Sequence, residues 1–332
     1  MENDILVSVI CITYNQELFI KDALESFINQ KTNFKYEILV HDDASTDKTP
    51  EILKQYEIKY PNLIKVIYQK VNQYSQGKNP TRNLYDIAKG EYLALCEGDD
   101  YWIDSSKLQK QVDFLENNLD YIGTSHNNYV VNKNKEKINY NNYYPLLKEH
   151  NIRNIDELKY NFGLCGHTST LVFRNFWKDL PLEEREYFLG IKAIGDQKLN
   201  LYLVLNGKMK FLSDIMSCYR VTFDTDSWTS SRMNKNTSLE DAICFFEKQR
   251  LIKERADSSF EYDISPCIWG AFSRCLKKPN KENISIFYKV IKFAKTKYKN
   301  NFDLILKLFK YIILKIKEKL FLKNKNEYWE RL

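Results

Sequence analysis

The stretch Glu91-Tyr-Leu-Ala-Leu-Cys-Glu-Gly-Asp-Asp100 joins a short apolar run to a cluster of carboxylates. The apolar run, residues 92–96, is typical of a strand that is buried on both faces. Glu97, Asp99 and Asp100 follow it directly. Like charges this close disfavour one another's ionisation unless a cation lies among them, and carboxylate oxygens suit Mg2+ or Mn2+. The alternative is a solvated acidic turn that caps the next helix.

The chain on the N-terminal side of this stretch alternates between strand and helix patterns. This order predicts an α/β fold with a Rossmann-like, mainly parallel central sheet flanked by helices. The predicted strands are 5–13, 36–41, 63–68 and 92–96, and the predicted helices cover 19–28, Pro50 to about Tyr60, and 81–88. Ser45 or Thr46 is expected to cap the second helix.

Polar residues follow three of these strands, at 13–15, 42–43 and 97–100. The carboxyl ends of parallel strands meet at one edge of the sheet, so these residues are expected to line one crevice. Tyr14 offers a stacking face, and an Asp can accept a hydrogen bond from a base or a ribose. Neither a P-loop nor a GxGxxG fingerprint is present, so phosphate is expected to be held through a metal and side chains.

Three segments, 7–15, 40–47 and 88–100, together resemble the family-2 nucleotide-sugar glycosyltransferases of the GT-A fold. The resemblance covers roughly residues 5–118. It implies transfer of a sugar from a nucleoside diphosphate sugar, with inversion at the anomeric carbon, to a saccharide or a lipid-linked saccharide. It also implies Mn2+ or Mg2+ as cofactor and UDP as the usual carrier.

The resemblance also implies roles for individual residues. Tyr14 and Asp43 match positions that hold the base, while Asp99 and Asp100 match the DxD-type motif that binds the ribose and the metal. Glu97 stands where many members have the first Asp, as a candidate phosphate contact. The remaining candidates for nucleotide binding are Thr13, Asn15 and Asp42.

The acceptor half is expected over about residues 119–230, after a donor half over 1–118. Ser105 or Ser106 is expected to cap a helix that buries Leu108, Val112 and Leu115, and 121–131 is a predicted strand. Residues 163–174 resemble the segment that lines the acceptor site in the family. His167 within it is either a contact for phosphate or acceptor, or a structural hydrogen-bonding group.

Asp196 lies at the start of a predicted helix that opens with Ile194-Gly195. A carboxylate in that place caps the helix by interacting with its dipole. By the resemblance, Asp196 is instead the catalytic base that takes the proton of the acceptor hydroxyl.

Residues 216–222 resemble a Tyr-Arg-x-His segment of the family, but Thr222 stands in the place of the His. The third protein ligand of the metal is therefore left open. Arg220 is a candidate to contact phosphate or brace the site, and Trp228 either stacks on a sugar or packs.

Residues 231–332 are predicted to be helical, and residues 277–332 carry a net charge of +11, which leaves −5 for the rest of the chain. Five lysines interrupt the apolar stretch 302–322, which fits a helix lying on an anionic membrane surface or a packed helix with a solvated lysine face. No recognition motif accompanies the charge, so nucleic acid is not an expected partner.

The composition indicates the cellular compartment. The seven cysteines contain no CxxC pair, and neither a signal peptide nor a transmembrane span is recognisable, so we expect reduced thiols and a cytoplasmic protein, peripheral on the inner face of the membrane. The sequence therefore predicts a metal-dependent glycosyltransferase of surface polysaccharide synthesis. A non-catalytic nucleotide-sugar-binding scaffold and a sugar nucleotidyltransferase are the alternatives.

Overall fold

The computed structural model describes residues 5–138, 152–153, 166–191, 195–222, 237–260, 263–297, 305–308 and 310–311. Trp228, most of the loop at 132–150 and most of the stretch 302–322 lie outside these ranges. The chain divides into two compact units. The first holds residues 1–191 and 195–222, and the second holds 192–194 and 223–332.

The first unit contains the strands and six helices of the described residues. The strands are β1 (Ile5–Thr13), β2 (Lys35–Asp42), β3 (Ile64–Tyr68), β4 (Tyr92–Leu95), β5 (Tyr101–Trp102), β6 (Tyr121–Val131), β7 (Ile152–Arg153), β8 (Val172–Arg174) and β9 (Lys208–Arg220). The helices are α1 (Ile20–Ile28), α2 (Thr49–Lys59), α3 (Thr81–Tyr85), α4 (Lys107–Asn117), α5 (Leu182–Gly190) and α6 (Gly195–Asn206).

These strands form one mixed sheet in the order β3-β2-β1-β4-β8-β6-β9-β5, and β7 pairs with β9. The four strands from β3 to β4 are parallel. On the other side, β8 runs antiparallel to β4 and β6, whereas β6 and β9 are parallel. The predicted α/β class is confirmed, and the parallel half of the sheet is the half that the sequence patterns predicted.

The core of this unit lies between the parallel strands and the helices α1, α2 and α4. Apolar side chains of β1, β2 and β4 pack there against one face of each helix. Leu108, Val112 and Leu115 are buried from α4, as the helical spacing predicted. Burial of these strands on both faces explains their continuous apolar runs.

The helix starts differ from the predicted caps. Helix α2 begins at Thr49, and the carboxylate of Asp47, not Ser45 or Thr46, accepts the Thr49 N–H at 2.9 Å. Ser106 precedes α4 without capping it through its side chain, while Asp104 accepts the Ser106 N–H at 2.8 Å. In both places a nearby aspartate carboxylate, a stronger acceptor than a hydroxyl, accepts the hydrogen bond at the turn.

The second unit is helical in the residues described: α7 (Ser238–Arg255), α8 (Ser265–Lys277) and α9 (Lys281–Lys295). The three pack around a small apolar core of their own. Within the described ranges, no helix combines the length and the apolar character that crossing a bilayer would need.

Candidate active site

The register of the parallel strands brings three polar strand ends side by side. Thr13 at the end of β1 is aligned with Asp42 at the end of β2. On the other side of β1, Gly98 donates its N–H to the Ile12 carbonyl at 2.9 Å. A Cβ at Gly98 would lie 2.9 Å from the Thr13 Cβ and 2.4 Å from Gln16 Oε1, so glycine lets the acidic turn approach β1 this closely. The three polar strand ends predicted to share this edge therefore lie next to one another.

The loop after β1 presents Tyr14 and Asn15 at this edge. Tyr14 is 46 % exposed, which leaves its ring free to stack on a planar ligand. Asn15 has a left-handed backbone (φ 50°) and is held by the loop after β2. Its N–H donates to Ser45 Oγ, and its Oδ1 accepts the Thr46 N–H, both at 2.8 Å. Asn15 thus fixes the loop that displays Tyr14.

Asp42 and Asp43 are both buried but differ in their partners. The Asp43 carboxylate accepts the N–H of Gln73 at 2.7 Å and that of Tyr74 at 3.0 Å, one on each oxygen. Asp42 Oδ1 is buried and has no hydrogen-bond partner among the described residues. Burial raises the pKa of Asp42, and hydrogen bonds from Ser45 oppose the shift. Of the two carboxylates, Asp42 keeps an unpartnered oxygen, whereas Asp43 anchors the turn at 73–74.

Glu97, Asp99 and Asp100 meet at the end of β4. One carboxylate oxygen from each can be chosen so that all three lie within 4.8 Å of one another. Asp99 Oδ1 and Asp100 Oδ2 are buried without a hydrogen-bond partner in the described part of the chain. Buried polar atoms in proteins are nearly always satisfied, and hard oxygen ligands are what Mg2+ and Mn2+ require. The three residues therefore fit a divalent cation.

The electrostatics of this cluster also favour a bound cation. Burial raises the pKa of Asp100 well above its usual range, and the charges of Asp99 and Glu97 raise it further. The surrounding protein raises the pKa of Glu97 as well, although its side chain is open to solvent on one side, and Asp99 and Asp196 add to the shift. Three ionised carboxylates repel one another here, and a cation among them would remove that repulsion.

Arg220, the last residue of β9, lies behind the acidic turn. Its N–H donates to Asp100 Oδ1 and its Nη1 donates to the Asp99 carbonyl, both at 2.8 Å. Its side chain is fully buried, and these contacts are those of a brace. A contact between Arg220 and phosphate stays a prediction. Thr222 follows two residues later, half-buried, where the family has His.

His167 is buried beside the cluster. Its Nδ1 accepts the Ser169 N–H at 3.3 Å and lies 3.5 Å from Asp100 Oδ2. Burial lowers the pKa of His167 to about 3, so the ring is neutral. These contacts agree with the structural alternative for His167, which shapes the wall of the site next to Asp100.

Asp196 lies in the first turn of α6, as predicted, and its side chain is half-buried. Its Oδ1 accepts the Gln197 N–H at 2.6 Å. Its charge also raises the pKa of Glu97, so the two carboxylates lie within electrostatic range of each other. Asp196 is therefore both a helix-start residue and a neighbour of the acidic cluster.

Two further residues of the site were missed in the sequence. The Gln16 side chain accepts the Thr13 hydroxyl at 2.8 Å and hydrogen-bonds Asp99. Burial raises the pKa of Asp99, and the hydrogen bond from Gln16 partly opposes that rise. Asp22 on α1 accepts a hydrogen bond from Arg220 Nη2 at 2.8 Å. Asp22 belongs to no motif, whereas Gln16 directly follows the Thr13–Asn15 segment and could have been suspected from that position.

The sequence matches a known protein family over half of its length. The sequence model described as "Glycosyl transferase family 2" matches residues 8–180, which is half of the chain. An uncharacterised protein of Mycobacterium tuberculosis (strain ATCC 25618 / H37Rv) is 32% identical over 216 residues, covering 64% of this chain and 58% of that protein. The match thus spans little more than half of the length of that relative.

A shorter match involves an Escherichia coli protein named UDP-Glc:alpha-D-GlcNAc-diphosphoundecaprenol beta-1,3-glucosyltransferase. It is 36% identical over 129 residues, which is 39% of this chain and 47% of that protein. Among solved structures, S. aureus TarS residues 1–349 in complex with UDP-GlcNAc superposes with a TM-score of 0.54 at 22% identity, covering 80% of this chain and 70% of that one. This likeness shows the fold, which is the GT-A arrangement predicted from the sequence.

Proposed function

We propose that this chain, which belongs to glycosyl transferase family 2 by its match over residues 8–180, transfers a sugar from a nucleoside diphosphate sugar to a hydroxyl group of a saccharide or lipid-linked saccharide. The observation that carries the proposal is the meeting of three carboxylates at the end of β4, with two buried oxygens that lack partners. A diphosphate is anionic, so such a cluster can hold it only through a cation.

Glu97, Asp99 and Asp100 are the residues that would hold Mn2+ or Mg2+. When bound, the ion neutralises charge on the departing diphosphate. Arg220 and Gln16 keep the acidic turn in place for it. The absence of the family His at Thr222 leaves the remaining coordination to the donor phosphates and water.

UDP is the proposed carrier. The E. coli relative is named for UDP-Glc, and the TarS structure contains UDP-GlcNAc. Tyr14 offers an exposed ring on which a uracil can stack, and Asp42 offers the unpartnered oxygen that can accept the N–H of the base or a ribose hydroxyl. Thr13 pairs with Asp42 across the two strand ends, and Asn15 holds the loop that carries Tyr14.

Asp196 is the proposed general base. The acceptor oxygen attacks the anomeric carbon while the bond from that carbon to the diphosphate oxygen breaks, which inverts the configuration. The acceptor proton passes to the Asp196 carboxylate. Its half-buried place at the start of α6, within electrostatic range of Glu97, supports this role.

The proposed pathway is surface polysaccharide synthesis. The protein is proposed to associate there with the anionic inner face of the cell membrane. Residues 277–332 carry a net charge of +11. On α9, Lys281, Ile284, Tyr288, Lys292 and Lys295 recur at helical spacing and are exposed, which places apolar and basic side chains on one stripe. Sedimentation with vesicles tests this part: binding to phosphatidylglycerol but not to phosphatidylcholine supports it, and equal binding or none contradicts it.

A thermal-shift panel tests the donor site. The full chain is mixed with UDP, GDP, CDP or dTDP, each with Mn2+, Mg2+ or EDTA. A nucleotide at 100 times its Kd should add about 2.7 kcal/mol of stability if it binds only the folded state. We expect UDP with metal to stabilise the protein, Asp100→Asn to lose this effect, and Asp179→Asn, a change of an exposed aspartate, to keep it. No stabilisation by any nucleotide would contradict the proposal.

Turnover separates an enzyme from a non-catalytic binder. Asp196→Asn keeps the shape of the side chain and removes the base, so kcat should fall about 10²- to 10⁴-fold while UDP binding remains. Full turnover in this variant would show that Asp196 acts only at the helix start. Donor binding by the wild-type chain with no transfer or hydrolysis would favour the scaffold alternative.

A further inference from the structure

The side chain of Arg220 connects the acidic turn to a part of the fold outside the crevice. One end of the guanidinium, Nη1, donates to the Asp99 carbonyl, and the other end, Nη2, donates to Asp22 Oδ2, each at 2.8 Å. The rings of Phe19 and Tyr101 lie 4.5 Å and 5.2 Å from the guanidinium carbon. The cation is thus held between an aromatic pair, a carbonyl and one carboxylate.

Asp22 is the carboxylate that pairs with this buried cation. The Arg220 side chain has no exposed surface, whereas Asp22 is 25 % exposed in the first turn of α1. Removing one partner of a buried ion pair is costly because it leaves the other charge uncompensated. Without Asp22, the guanidinium would remain beside the acidic turn, because its Nη1 donates to the Asp99 carbonyl and the Arg220 N–H donates to Asp100 Oδ1.

We infer that Asp22 is a positioning residue for the divalent cation. It holds the Arg220 guanidinium away from the carboxylates of Asp99 and Asp100 and keeps their oxygens available. The inference rests on the proposed function, because it assumes that the acidic turn binds a metal. Loss of Asp22 would let Arg220 compete with the cation for the same oxygens. Changes in groups that orient metal ligands typically cost about 10- to 100-fold in metal affinity.

The test measures Mn2+ binding to the full chain with UDP present, from the electron paramagnetic resonance signal of free Mn2+. The variants are Asp22→Ala and Asp22→Asn, the second of which keeps an acceptor of the same shape. Lys135→Ala is the matched control, because Lys135 Nζ contacts the other oxygen of Asp22 at 2.7 Å and lies outside the Arg220 contact. We expect Asp22→Ala to raise the Kd for Mn2+ about 10- to 100-fold, and Lys135→Ala to leave it within about twofold of wild type.

Wild-type binding separates the two proposals. If the wild-type chain binds no Mn2+, the metal part of the proposed function fails. If the wild type binds Mn2+ and Asp22→Ala binds it equally well, only the role of Asp22 is refuted. Should Asp22→Ala not fold, Asp22→Asn decides: a raised Kd supports the inference, and an unchanged Kd overturns it.

Discussion

Lys107 at the start of α4 has no exposed surface, and its Nζ lies 4.2 Å from the centre of the Trp102 ring. The ammonium nitrogen has no hydrogen-bond partner among the described residues. Burial lowers the pKa of Lys107 to about 7, and the nearby Cys96 and Asp104 only partly oppose this. Replacing Lys107 with methionine should therefore stabilise the protein, and by an amount that depends on pH.

The direction of this pH dependence follows from the number of protons that the folded and unfolded chains bind. Between pH 7 and the unfolded pKa of 10.5, the unfolded chain keeps the Lys107 proton while the folded chain has lost it. Stability of the wild type therefore rises with pH across this window. Relative to a neutral residue, Lys107 costs about 4 kcal/mol at pH 7 and about 1 kcal/mol at pH 9.5. The advantage of Lys107→Met should shrink by about 3 kcal/mol between these two pH values.

Urea unfolding of both chains at pH 7 and 9.5, followed by circular dichroism, measures this change. Taking the difference between variant and wild type removes the contribution of the titrating groups that do not interact with Lys107. The apolar packing of the side chain affects both pH values alike, so it cancels from the change. Lys54→Met, at an exposed position of α2, is the control and should show no such dependence. An equal advantage of Lys107→Met at both pH values would refute the reasoning, because Lys107 would then stay charged in the fold.

Three further changes test packing and hydrogen bonding elsewhere in the fold. Gly90→Ala should destabilise the protein by about 1–3 kcal/mol or more, because a Cβ there would lie 2.4 Å from the Ser8 backbone nitrogen. In Gly270→Ala, in α8, the new Cβ meets no atom within 4 Å, and the change should stabilise the protein by about 0.5–1 kcal/mol. Changes of the same sign in the free energy of unfolding for both variants, measured with urea, would contradict this. Glu37→Ala should cost about 1–3 kcal/mol, because Glu37 accepts the Ser8 hydroxyl at 2.6 Å and the Lys89 N–H at 2.7 Å; an unchanged unfolding midpoint would show that water replaces these contacts.

The parts of the fold that the sequence predicted are those controlled by local pattern. Apolar runs rich in β-branched residues predicted β1, β2 and β4 to within a residue or two, because strands buried on both faces admit little else. Their parallel order then implied that the acidic turn, Tyr14 and Asp42 share one edge of the sheet. The grouping of these residues at one edge was therefore predictable without any long-range contact.

The parts that escaped prediction depend on distant residues or on competition between neighbours. Asp22 and Arg220 are 198 positions apart, so no spacing along the chain reveals their ion pair. Lys107 has the pattern of an ordinary surface lysine, and only the packing around Trp102 buries it. At the helix starts, an aspartate carboxylate took the hydrogen bond where an adjacent hydroxyl was expected.

The strand that follows the acidic turn pairs with a segment that the ribosome makes much later. β5 pairs with β9, and Asp100 receives the N–H of Arg220, which lies 120 residues later in the chain. At about 5–20 residues per second, a ribosome needs about 6–24 seconds to travel that distance. During that interval the emerging chain already contains all three carboxylates, but the strand and the arginine that hold them have not yet been made. A nascent polypeptide halted before residue 220 would thus carry the whole acidic motif without the contacts that hold it in place.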